Sequence, residues 1–299
     1  MNLDCFGSDL AKESLTGDGG SIPGIQQHER KSGGFTVHHI HVCDGDAAKR
    51  IGKPIGHYLT VDCGRPDRMD ADARERLSRV LAGEVRGLTE ATCKKPPNQD
   101  LSVLIVGLGN ASLTADAIGP LTVRRLTATA HLKSADPDLY RALGCSAVSL
   151  IAPGVLGQSG IEAGTTVRAV SKEIAPDIVI AIDALVARDL ERLAATIQIS
   201  DVGIVPGSGV GNHRAGLTVE ELGVPVLAMG VPTVVGSSTL VYDALARAGI
   251  DDPSAELRKV LENGGDFFVS LKESDYITEQ VCSILSRALS LAFLGGMEL

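Results

Sequence analysis

Apolar residues are spread unevenly along the chain. Four near-continuous apolar runs stand out in its centre: LSVLIVGLGN (101–110), AVSLIAPGV (147–155), DIVIAIDAL (177–185) and VPVLAMGVP (224–232). Each is bounded by Gly, Pro or Asp. Runs of this length without polar alternation fit strands buried on both faces. Between them lie segments with helical spacing, 115–129, 162–173 and 184–195. Alternating strands and helices predict an α/β fold, with a mostly parallel or mixed central sheet flanked by helices on both faces.

Shorter patterns extend this frame. FTVHHIHV (35–42) and HYLTVDC (57–63) read as partner strands, 68–91 as a charged helix, KKPPNQD (94–100) as a break and TIQISDVGI (196–204) as a further strand. Residues 274–294 form an amphipathic helix, with apolar positions at 277, 281, 284, 285 and 288. Residues 1–34 are polar, with GDGG at 17–20 and KSGG at 31–34. They are expected to be flexible, leaving 35–299 as a single α/β domain.

Composition narrows the class. Of 299 residues 44% are hydrophobic but only 3% aromatic, with no Trp, so the core is built from Ala, Val, Leu and Ile. A net charge of −9 argues against broad nucleic-acid binding. No apolar run approaches the roughly 20 residues of a membrane-spanning helix. Cys5, Cys43, Cys63, Cys93, Cys145 and Cys282 form no CxxC pair, which fits reduced thiols in a cytosolic protein.

In an open α/β sheet ligands bind beyond the carboxyl ends of the strands. Those positions carry Gly109, Asn110 and Asp116 after the first run, Glu162 after the second, and Asp183 with Arg188 and Arg192 after the third. Ser208, Gly209, Asn212, His213 and Arg214 follow the 196–204 strand. Two carboxylates at such an edge can share a proton and act as base and acid around a water. Asp116 and Asp183 are the candidates. Spacing alone leaves a second reading open, in which each caps the helix that follows it. Weaker signals are GLG (107–109), which lacks the third glycine of a dinucleotide fingerprint, and GQSGI (157–161) and PGSGV (206–210), which miss the GxSxG pattern. In HHIH (38–41), His39 and His41 would share a strand face without an acidic or cysteine partner nearby, so they read as solvated.

The stretches VGLGNASLTADAIGP (106–120), APGVLGQSGIE (152–162), PDIVIAIDALVARDLERLAATIQISDVGIVPGSGVGNHR (176–214) and LGVPVLAMGVPTVV (222–235) together resemble the germination (spore) protease family. The resemblance implies a phosphorylase/hydrolase-like α/β endopeptidase that degrades small acid-soluble spore proteins. It also implies a homotetramer located in the cytoplasm of the forespore or spore core. Asp116 and Asp183 match the family's proposed catalytic pair. Ala115 stands where relatives commonly have Pro. No cofactor is implied, and a metal is left open, since the fold type is shared with hydrogenase-maturation proteases. A metal-dependent peptidase and a non-catalytic spore-protein-binding homologue are the alternatives. The resemblance further implies a zymogen cut within SDLAKE (8–13), between Asp9 and Leu10. A chain that begins at Met1 is expected to be the uncut form. An acid before the cut calls for a cationic subsite, for which Arg188, Arg192 and Arg214 are candidates. Backbone N–H groups near 107–110 or 207–212 are candidates to hold an oxyanion.

Overall fold

A computed structural model describes residues 8–15, 22–205, 216–250, 253–263 and 267–296. Its centre is a nine-stranded mixed sheet. The strands are β1 (Ile25–Ser32), β2 (Phe35–Val42), β3 (Gly56–Asp62), β4 (Ser102–Gly107), β5 (Ala147–Ile151), β6 (Ile178–Ala187), β7 (Thr196–Ser200), β8 (Val226–Gly236) and β9 (Phe268–Ser270). Their order is β1-β2-β3-β7-β8-β6-β4-β5, with β9 added to β8. The four long apolar runs are β4, β5, β6 and β8, and they pair in parallel. β1, β2, β3 and β7 are antiparallel, and β7 joins the two halves by pairing antiparallel with β8.

Burial explains the split. Ile178, Val179, Ile180, Ala181 and Ile182 of β6 are each fully buried, because β6 lies inside the sheet with a core on either face. One core packs the helices Ala71–Cys93 and Ser274–Phe293 against Ile105, Ile180 and Leu227. The other packs Val167, from the helix Ala163–Ile174, against Leu104, Val106 and Val179. β1 exposes nearly every side chain, as an edge strand should.

Three expectations fail in whole or in part. Residues 1–34 are not uniformly flexible: Ile25–Ser32 pairs along its whole length with β2, and Ala11–Leu15 is a 3-10 turn with Ala11 buried. The helix expected at 184–195 does not form. β6 runs on through Ala187, followed only by a 3-10 turn at Leu190–Arg192. Ala, Leu and Val suit a helix as well as a strand, and here β8 decides: its residues pair with Asp183 through Ala187, with a bulge between Leu185 and Val186. The helix expected at 115–129 is correspondingly short, Ile118–Val123.

Candidate functional site

Because β6 continues, Asp183 caps no helix. It stands sixth of ten residues in the central strand and is only 6% exposed. An isolated carboxylate there would be costly. Its Oδ1 accepts the N–H of Ala184 at 2.9 Å, and its neighbour across the ladder is Gly230 of β8.

Asp116 reaches the same place by a different route. After β4 the chain continues beside β6, the Leu108 N–H donating to the Ile182 carbonyl at 2.8 Å. It turns at Gly109, whose φ of +109° suits a residue without a Cβ. A Cβ there would lie 2.1 Å from the Asp116 carbonyl oxygen. The Asn110 N–H donates to Asp116 Oδ2 at 2.9 Å, and Thr233 of β8 donates its hydroxyl to the Ala115 carbonyl at 2.6 Å. Asp116 is thus tied to the loop after β4 through its side chain and to β8 through its neighbour. Asp116 and Asp183 line one cleft of about 900 Å³, together with Gly109, Asn110, Gln198 and Thr233.

A peptide segment, the chain's own residues 8–13, meets this cleft at Ser8 and Asp9 and packs beside it from Leu10 on. The Asp9 N–H donates to the Val186 carbonyl at 3.1 Å, and the Val186 N–H returns to Asp9 Oδ2 at 2.9 Å. Leu10 is fully buried among Leu185, Ala187, Leu193 and Val235. Gln198 of β7 brackets the next step, its Nε2 donating to the Asp9 carbonyl at 3.1 Å and its Oε1 accepting the Ala11 N–H at 2.7 Å. Lys12 Nζ donates to Asp62 Oδ2 of β3 at 2.5 Å. Glu13, 3% exposed, accepts the main-chain N–H groups of Arg188 at 2.8 Å and Asp189 at 2.9 Å. The segment therefore contacts β6, β7 and β3 in turn, and its 3-10 turn brings Glu13 back to the residues just after β6.

Electrostatics follow from these contacts. Lys53 donates to the Ser8 carbonyl at 2.8 Å. Burial lowers its pKa, which Asp9 and Glu13 partly offset and Arg188 reinforces. Burial pushes Asp62 up, but the hydrogen bond and charge of Lys12, then Arg192 and His38, outweigh it, so its pKa is lowered.

The expected site residues divide accordingly. Gly109, Asn110, Asp116, Asp183 and Asp9 line the cleft, and Leu10 is buried beside it. Arg192 lies 3.3 Å from Glu13 and 3.4 Å from Asp62, and Arg188 meets Glu13 through its main chain. With no helix at 184–195, the two arginines do not pair along one. Glu162 precedes the helix Ala163–Ile174 and accepts no capping bond from it. The Asn110 N–H expected for an oxyanion is directed at Asp116. Ser208, Gly209, Asn212 and Arg214 lie outside the described residues, although the flanking Val205 and Thr218 line the cleft. Gln198, Lys53 and Thr233 were not anticipated. Gln198 left one signal, a long polar side chain between Ile197 and Ile199 in a strand that is buried throughout.

His39 and His41 do share a face, and both stay partly exposed while pairing with His57. His39 hydrogen-bonds His57 at 2.9 Å, and His41 stacks on His57 with centroids 4.0 Å apart. Among the described residues no group of three or more His, Cys, Asp or Glu side chains is placed to hold a metal ion.

Two carboxylates and a seated peptide segment, in a cleft of a mixed α/β sheet, are the equipment of a hydrolase acting on peptide bonds. The family described as germination protease matches residues 9–248, and the chain belongs to it. It is a peptidase. A germination protease of Caldanaerobacter subterraneus subsp. tengcongensis is 38% identical over 298 residues, covering 92% of this chain and 90% of its own. One of Clostridium perfringens (strain ATCC 13124) is 38% identical over 285 residues, covering 88% and 86%. One of Bacillus velezensis is 43% identical over 234 residues, covering 78% and 62%. Among solved structures, a nickel–iron hydrogenase maturation protease from Thermococcus kodakarensis KOD1 aligns at a TM-score of 0.28 and 20% identity, over 63% of this chain and 93% of that one.

Proposed function

We propose that the chain is the endopeptidase that begins the degradation of small acid-soluble spore proteins during germination. It is made as a zymogen, assembles as a homotetramer in the forespore and cuts its own N-terminal segment between Asp9 and Leu10. One observation carries this reading: Ser8 and Asp9 line the cleft that holds Asp116 and Asp183, and Gln198 and Val186 in its wall bond Asp9 and Ala11.

Asp116 and Asp183 are the catalytic pair. One carboxylate takes a proton from water, whose oxygen attacks the scissile carbonyl carbon. The other, protonated, gives its proton to the leaving amine as the C–N bond breaks. The strand holds one and the loop after β4 the other, so neither must be ordered at the moment of reaction.

The test replaces each aspartate by Asn in the full chain. General acid–base catalysis contributes about 10²–10⁴-fold, so each variant is expected to lose cleavage of a spore-protein substrate by that order. It should also lose the new N-terminus at Leu10 detected by mass spectrometry. Full activity of Asp183→Asn would sink the aspartate mechanism. A parallel arm adds a chelator: activity lost and restored by one defined ion would move the reading to a metal-dependent peptidase.

A further inference from the structure

The main-chain carbonyls of residues 8–10 are met by three different donors. Lys53 Nζ donates to that of Ser8 at 2.8 Å, Gln198 Nε2 to that of Asp9 at 3.1 Å, and the main-chain N–H of Glu13 to that of Leu10 at 3.2 Å. The middle carbonyl belongs to the bond proposed as the one cut, and a side-chain amide faces it.

The orientation of that amide is fixed. The Ala11 N–H can only donate, and it meets Oε1 at 2.7 Å, so the NH2 end must face the Asp9 oxygen. Gln198 stands inside the sheet, opposite Thr60 of β3 on one side and Gly230 of β8 on the other. Gly230 is opposite Asp183 in turn. Residues opposite each other in a ladder project to one face, so Gln198 and Asp183 share a side of the sheet. Both line the cleft together with Asp116. The Asn110 N–H, the other donor expected there, is already directed at Asp116 Oδ2.

We propose that Gln198 is a third catalytic residue, the donor that holds the oxyanion formed on the carbonyl of the cut bond. This rests on the reading of Asp9–Leu10 as that bond. As the water oxygen bonds to the carbonyl carbon, a water proton passes to the ionised aspartate and the carbonyl π pair moves onto oxygen, where the charge faces Nε2. The pair then returns, the C–N bond breaks, and the leaving nitrogen takes the proton of the other aspartate. Gln198 neither gains nor loses a proton. Its neutrality matters, because a lysine or arginine in its place would favour the ionised form of both carboxylates and remove the proton meant for the leaving amine. An amide held by Ala11, on a strand paired on both sides, needs no reorganisation as the charge develops.

Two peptides test this on the full chain. One is GSDLAKESL, and the other is the same peptide with the Asp carbonyl oxygen replaced by sulfur, a poor hydrogen-bond acceptor. Gln198→Met keeps the side-chain length and removes the donor. One oxyanion donor contributes about 10²–10³-fold, so kcat/KM for the oxygen peptide should fall by that order. The oxygen-to-sulfur ratio of kcat/KM should fall about tenfold or more, because the variant has no donor for the sulfur to lose. Competition from the chain's own residues 8–13, the fraction of chain folded and the intrinsic reactivity of a thioamide all cancel in that ratio.

A Gln198 that only supports the fold would lower both rates and leave the ratio unchanged, which overturns the proposal. Gln198→Glu has the same shape and keeps an acceptor for the Ala11 N–H. It serves where Met is not tolerated, and at neutral pH it should give the same fall in ratio. A parent chain that cuts the oxygen peptide at another bond, or at none, removes the Asp9–Leu10 reading and this proposal with it. Cleavage at Asp–Leu with a ratio unmoved by either variant removes the role of Gln198 alone.

Discussion

Asp183 and Gln198 lie in one cross-strand row, two strands apart, with Gly230 between them. Strand spacing puts their Cα atoms about 10 Å from each other. Both line the cleft, and Gly230 contributes no side chain to the gap. Leu185 leans into that space instead, its Cδ1 2.4 Å from where a Cβ on Gly230 would stand. Leu185 also walls the pocket of Leu10. Gly230→Ala should therefore push Leu185 toward Leu10 and loosen residues 8–13. Overpacking costs roughly 1–3 kcal/mol, so thermal unfolding should register a loss, and trypsin should cut after Lys12 faster than in the parent chain.

Gly109→Ala strikes the other carboxylate. The new methyl would overlap the Asp116 carbonyl oxygen, a backbone atom that cannot rotate away, and the position has φ of +109°. Strain of this type costs on the order of 1–3 kcal/mol. A lower melting temperature together with a large fall in kcat is expected. Unchanged kcat would show that the turn at Gly109 does not place Asp116 for chemistry.

Thr233 acts at one remove, through the Ala115 carbonyl. Thr233→Val keeps the shape and deletes the donor, at a cost of about 1 kcal/mol. As a positioning residue it should lower kcat while leaving KM for a spore-protein substrate nearly constant, and Thr233→Ser should recover most of the loss. An effect on melting temperature alone would reduce Thr233 to a structural role.

Acid should weaken the fold in two windows. Burial, then the charges of His57, His41 and His28, lower the pKa of His39, against a smaller opposing effect of Asp201. Below the unfolded value of about 6.5 the unfolded chain takes up this proton more readily than the folded one. Stability therefore falls as pH drops from there toward the lowered folded pKa. Asp62, also lowered on folding, contributes stability that is present above its unfolded value of about 3.8 and lost as pH falls through the folded one. Urea titrations across pH should show both slopes, with His39→Gln flattening the upper and Asp62→Asn the lower. A parent chain of constant stability between pH 7 and 5 would count against the lowered pKa of His39.

The pattern of apolar runs determined the core of the fold. Strands buried on both faces must be apolar throughout, so β4, β6 and β8 announce themselves, as do the helices at 71–93, 163–174 and 274–293; β5 shares the apolar pattern but is an edge strand whose last three residues are only half-buried. The strand-end rule also brought Asp116 and Asp183 forward. Tertiary structure alone decided the rest. Ala184–Ala187 can be helix or strand, and only pairing with β8 made it strand and placed Asp183 inside it rather than at a cap. The place of residues 8–13 depended on contacts more than 170 residues away, with Val186, Arg188 and Gln198, which no local pattern encodes. Periodicity reports how much of a residue is buried. Which partner buries it is settled only when distant strands are brought side by side.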